Sequence, residues 1–198
     1  LAKARQIVAD AGREMNPEQL FSYVAVYGDF VWLLDSAAQE LVMEAPLSRF
    51  DSDPATRDMV KAQIYYLRGD STQMRFWADS AVRHYDDFLR HAPGDLQATA
   101  LRALAMAFTG KAAAARAAIA ALIEVTPDNL DDDPDELRWY VSHITARAYT
   151  VLGDQDQTIA ILATLVDRPE YELSKARLRI DPNFDPLRGN PKLETLIR

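Results

Sequence analysis

The chain contains no cysteine, which excludes disulfides, thiolate metal sites and thiol nucleophiles while leaving either a reducing or an oxidising compartment compatible. Histidine is scarce. Of the three imidazoles, His84 and His91 stand seven residues apart, two helical turns and too far to share a metal without other ligands, and His143 is remote from both. Positive charge is outnumbered, with 22 Lys and Arg against 30 Asp and Glu and a formal charge of -8. Nucleic acid and anionic lipid both attract clustered cations, so no nucleic-acid partner is expected. No apolar run is long enough to cross a bilayer, and no basic region leads into an apolar core, so no direct membrane insertion is expected either. Asn-Gly and Asp-Gly hairpin turns are missing, as are a Gly-x-Ser-x-Gly elbow, a phosphate-binding loop and a dinucleotide fingerprint. These absences predict a non-enzyme with no catalytic residue, no cofactor and no metal.

What is present is apolar and helical. In 198 residues, 48% are hydrophobic, enough for one domain of ordinary size. Four glycines, in "VAVYGDF", "YYLRGDS", "MAFTGKA" and "YTVLGDQ", recur at 28, 69, 110 and 153, spaced by 41, 41 and 43 residues. Each stands between two stretches with helical apolar spacing, where a tight turn between helices needs backbone freedom. Before Gly110, for example, Leu101, Leu104, Ala105 and Phe108 share one face, and strong helix formers follow it. The reading is a single repeat domain over 1–198, with a lone helix near 1–15, helix hairpins at about 17–45, 55–92, 95–126 and 134–167, and a tail from 171 that closes with a short helix at 191–197. The opening "LAKARQ" has no initiator methionine, and we expect a piece of a longer protein.

The tail "LRIDPNFDPLRGNP" concentrates acid-proline pairs, and the question is whether they form a site. Six of the ten prolines follow Asp or Asn, at Asn16, Asp53, Asp133, Asp181, Asp185 and Asn190. Asp or Asn before a helix accepts a hydrogen bond from an otherwise unpaired amide, and proline at the first helical position has no amide to leave unpaired. Asn16 with Gln19 and Asp133 with Glu136 also have capping-box spacing. The pairs therefore read as helix starts, with Leu178, Ile180, Phe184, Leu187, Leu193 and Ile197 as apolar plugs for the end of the repeat array. An enzyme reading would need tail carboxylates close to His143 in a pocket. The acidic run "NLDDDPDE" at 129–136 lacks the alternating ligands of a calcium loop and reads as a solvated loop.

The second hairpin carries the sharpest family signal. Tyr65 precedes Gly69 by four, and Ala81, Tyr85 and Pro93 follow it at 12, 16 and 24, which resembles tetratricopeptide repeats; Arg68 and Thr72 stand where that family favours Leu and Tyr. Together with "YVAVYGDFVWLLDSAAQELV", "ALAMAFTGKAAAARAAI" and "RPEYELSKARLRIDPNFDPLRGNPKLETLI", most of the chain resembles tetratricopeptide-type regions appended to bacterial serine/threonine protein kinases. The resemblance implies an all-α, right-handed superhelix of about four hairpins with a C-terminal capping segment. It further implies a regulatory or interaction role beside an effector domain, in the cytoplasm, or in the periplasm if a membrane helix lies upstream. The kinase motifs themselves are missing.

If the repeats stack in that manner, a groove for a protein or peptide partner would include Ser22, Trp32, Gln63, Tyr66, Gln73, Arg147 and Thr150. Leu1, Ile7 and Val8 on the first helix form an apolar edge through which a homodimer could pair. The rival expectation is a small-molecule sensor, in which Tyr23, Trp32, Tyr66 and Trp77 converge on one cavity.

Overall fold

The computed structural model describes residues 1–26, 29–125, 137–166, 168 and 173–198, and among these the regular structure is entirely helical, without a strand. Its most regular feature is the glycine turn. Gly69, Gly110 and Gly153 have φ of 73°, 81° and 78°, a region that costs a side-chain-bearing residue steric strain. The amide of Gly69 donates to Tyr66 O and that of Asp70 to Tyr65 O, both at 3.0 Å. Gly153 and Asp154 repeat the pattern on Thr150 O and Tyr149 O at 3.1 and 2.9 Å, and Gly110 donates to Ala107 O at 3.1 Å. These bonds satisfy carbonyls that the helix end would leave unpaired, and they reverse the chain within three residues. Gly28, the first of the spaced series, lies outside the described residues.

The chain divides into two compact units, Leu1–His84 and Tyr85–Arg198. The first contains α1 (Ala2–Glu14), α2 (Pro17–Val26), α3 (Ser36–Glu44), α4 (Pro54–Leu67) and most of α5 (Ser71–His91), within which the division falls. Short 3-10 turns at Val31–Leu33 and Leu47–Phe50 join α2 to α3 and α3 to α4. Thus the expected hairpin over 17–45 is not one tight turn. Asp29 has a left-handed φ of 49°, a 3-10 turn follows, and α3 starts only where Asp35 accepts from the Ala38 amide at 2.9 Å. Phe21, Val31, Leu34, Val42, Phe50, Val60 and Ile64 close the core of this unit. Within it α4 and α5 run side by side, with Asp58 facing His84 at 3.5 Å and Lys61 lying over Trp77. Arg68, at the position where the tetratricopeptide pattern favours leucine, instead ties the end of α4 to α3 through Gln39 at 2.8 Å and Glu40 at 2.7 Å.

The second unit contains the end of α5, then α6 (Leu96–Phe108), α7 (Ala112–Val125), α8 (Leu137–Leu152), α9 (Gln155–Leu165), α10 (Lys175–Leu178) and α11 (Pro191–Leu196). α6 packs on both α7 and α8, and α8 packs on α9. Leu104, Phe108, Ile119, Leu122 and Ile144 are fully buried there. The predicted apolar face of α6 is the one it buries, with Leu101 at its half-buried margin.

Four of the described acid-or-amide plus proline pairs cap helices. Asn16 accepts from Gln19 N at 3.0 Å, Asp181 from Asn183 N at 2.9 Å and Asn190 from Lys192 N at 3.0 Å. Asp53 takes three bonds, from the amides of Ala55 and Thr56 and the Thr56 hydroxyl, at 2.9, 3.1 and 2.6 Å. Asp185 departs from the pattern, since Pro186 lies inside the 3-10 helix Pro182–Leu187. Asp133, Glu136 and the acidic run lie outside the described residues. Asp53→Ala is expected to lower unfolding free energy by about 1–2 kcal/mol, measured by urea denaturation, because it strips the start of α4 of all three bonds. A loss within about 0.3 kcal/mol of zero would contradict that assignment.

Candidate functional site

An apolar cleft in the first unit is the strongest candidate for a binding site. It opens between α1 and α3 over the ring of Phe21 on α2 and has a volume of about 290 Å³. Val8, Ala9 and Gly12 of α1 form one wall, Ala37, Ala38 and Leu41 of α3 the other, and Leu33 and Leu34 close one end. The floor depends on a glycine. A Cβ at Gly12 would lie 2.6 Å from Phe21 Cζ, so only a residue without a side chain lets α1 sit so close to that ring. Sequence spacing gave no hint of this, because the pairing of 12 with 21 is a packing relation between two helices.

The cleft is not sealed. Leu41 is 40% exposed, and no residue of α1 is buried, so apolar surface remains in water. Arg5 and Arg13 line its α1 side. Arg5 spends one donor on Trp32 O at 2.9 Å, and Arg13 pairs with Asp10 at 2.9 Å in an exposed, solvent-screened contact. The one carboxylate in the lining, Asp35, is occupied as the cap of α3.

The expected groove residues are placed differently from one another. Ser22, Trp32, Gln63, Arg147 and Thr150 are all buried, at 4% exposure or less, whereas Tyr66 is half-buried and Gln73 exposed. Ser22, Trp32, Gln63, Tyr66 and Gln73 belong to the first unit, Arg147 and Thr150 to the second. None of the seven lines the cleft. Thr150 spends its hydroxyl on Ala146 O at 2.9 Å. A side chain so enclosed offers nothing to a partner unless the helices around it move. The four aromatics of the sensor expectation are divided as well: Tyr23 is largely exposed, Trp32 is buried beside Phe30, Tyr66 is half-buried, and Trp77 carries Lys61 Nζ 4.3 Å above its ring. Of the apolar edge, Leu1 and Ile7 are exposed, while Val8 is a wall of the cleft.

The tail places a polar cluster inside the second unit. Leu178, Phe184, Leu187, Leu193 and Ile197 join Ile159, Leu162 and Leu165 of α9 in one buried core, as the plug reading expects. Ile180 does not join them. It stands two residues beyond Leu178 in a turn and is exposed. Asp181 is fully buried, receives Asn183 Nδ2–H at 2.8 Å and faces Arg177 at 3.6 Å, while Arg147 reaches Asn183 at 3.5 Å. Burial pushes the Asp181 carboxyl above its ordinary range, against the pull of Arg177, Asn183 and Arg147. His143 is buried and stacks on Phe184, with ring centroids 5.9 Å apart. Asp181 and His143 are both buried, and the tail meets α8 through Arg147 with Asn183 and His143 with Phe184.

A second charged group lies between α4 and α5. Asp58 is fully buried and pairs with Arg57 at 2.8 Å, and burial, then Arg57, holds the Lys61 ammonium below its ordinary pKa against the opposing pull of Asp58. All three of these charges belong to α4, and the contacts that cross to α5 are Asp58 with His84 at 3.5 Å and Lys61 over the Trp77 ring. Among the described residues no group of three or more metal-ligating side chains converges, and no helix is long and apolar enough to cross a membrane. No protein family, no curated protein and no solved structure matches the chain.

Proposed function

We propose that the chain is a non-catalytic protein-interaction and regulatory domain, and that the cleft between α1 and α3 is where its partner docks. The carrying observation is the cleft itself, an apolar trough with a ring for its floor and a partly exposed leucine on its rim. An engineered apolar cavity of about 150 Å³ takes up benzene, so a 290 Å³ trough has room for about two apolar side chains of a partner. Open apolar troughs between helices are the usual seat of a peptide's anchor residues. The recurring glycine turn between paired helices supports the further reading of these pairs as irregular tetratricopeptide-like repeats winding into a right-handed superhelix, and the sequence resemblance alone carries the reading that they are part of a larger bacterial signalling protein. The small-molecule sensor reading gains no observation of its own, because none of its four aromatics lines the cleft.

Leu41→Glu tests the assignment, since the residue is exposed enough to accept a charge without disturbing the core. Affinity capture is run with wild type and variant of equal helical circular dichroism. A partner retained by wild type and lost with Leu41→Glu is the expected outcome. Partners captured equally by both would remove the cleft from the account.

A further inference from the structure

Resting on the cleft as the docking site, we infer that its occupant is an amphipathic helix of a partner protein, with two apolar anchors in the trough and Asp or Glu along the flank that faces α1. Three features of the lining select this chemistry. The trough runs between two helices over the Phe21 ring, and the small residues Ala9, Gly12, Ala37 and Ala38 in its walls leave room for side chains from a cylinder lying above it. Anchors three or four residues apart on one helical face match a space for about two side chains.

The charge is one-sided. Arg5 and Arg13 are eight residues apart on α1, about 12 Å along the axis, and both have donors to spare beyond their Trp32 and Asp10 contacts. Carboxylates two turns apart on a partner helix meet that spacing. Of the residues lining the α3 side, Asp35 is the charged one, and it is already engaged as a cap.

The net charge of -8 repels an acidic partner at long range. At physiological salt, however, fields die away over about 8 Å, so the short contacts to the two guanidiniums decide the preference. The same balance makes binding weaken as salt rises.

The test is selection from a display library of helix-forming peptides on the whole chain, followed by anisotropy titration of the enriched sequences. The expected result is a consensus with two large apolar residues at i and i+3 or i+4 and Asp or Glu on one flank. Those peptides should lose binding to Leu41→Glu and bind Arg5→Ala/Arg13→Ala roughly two- to thirtyfold more weakly. Peptides that need Leu41 yet show no acidic flank, or bind the double Arg variant unchanged, overturn this inference and leave the cleft assignment standing. Absence of any binder sensitive to Leu41→Glu overturns both. Sedimentation of wild type as a dimer and of Leu41→Glu as a monomer would instead give the trough to a second copy of this chain.

Discussion

Phe184→Ala is expected to destabilise the second unit by about 3–5 kcal/mol, the usual cost of emptying a phenylalanine site in a core. The ring is fully buried, lies in the core shared by the tail and α9, and carries the stacked His143. Its removal leaves a cavity lined from both sides and loosens the tail from the helices it covers. The measurement is urea unfolding followed by Trp139, which packs against that core, in a Trp32→Phe/Trp77→Phe background. A single probe inside the second unit is needed because a chain of two units does not guarantee one transition. A loss below about 1 kcal/mol would mean that the tail is not part of this core.

Arg177→Met should cost a similar amount at pH 7, about 3–5 kcal/mol, because it leaves a buried carboxylate without its nearest counter-charge. Arg177 and Asp181 are both nearly or fully inaccessible to solvent, 3.6 Å apart. The pH dependence follows from the direction of the Asp181 shift. Its carboxyl is held above its ordinary range by burial, so the folded state holds the proton more tightly than the unfolded one. The stability gained from this is complete below the unfolded pKa of about 3.9 and is lost as pH rises through the folded value. Removing Arg177 lets burial lift the carboxyl further, so the variant's deficit should shrink on acidification from neutral pH. Arg177→Met/Asp181→Asn, which removes the carboxylate and leaves Arg147 as the buried charge beside Asn183, should recover part of the loss and show no such pH dependence. A deficit independent of pH, or a double variant no better than the single, would mean that Arg177 acts by packing alone.

Much of the fold was legible because short-range chemistry wrote it. Gly69, Gly110 and Gly153 could be read as turns because a left-handed backbone is costly for residues with a side chain. Asn16, Asp53, Asp181 and Asn190 could be read as caps because the acceptor and the amide it serves are two or three residues apart. The break between α2 and α3 was less visible. "VWLL" has apolar residues at a spacing that suits a helix or a 3-10 turn, and the Asp35 cap decides between them only once seen.

Site residues were harder to read for a different reason. Ser22, Gln63, Arg147 and Thr150 are polar, and polarity suggests exposure, yet in the structure each is enclosed. Which face of a helix meets its neighbour depends on a rotation of some tens of degrees that the pattern of one chain does not fix. The cleft depends on a relation across elements, Gly12 against Phe21, and an isolated glycine in a helical stretch carries no sign of what lies opposite it.

The most direct test of the docking site is methyl-resolved NMR of the whole chain, titrated with a cleft-dependent peptide from the display selection. The account predicts shifts concentrated on Val8, Leu33, Leu34 and Leu41, with Leu162, Leu165 and Leu193 of the tail core unmoved. Shifts centred on α8, α9 and the tail, with the cleft methyls silent, would contradict it.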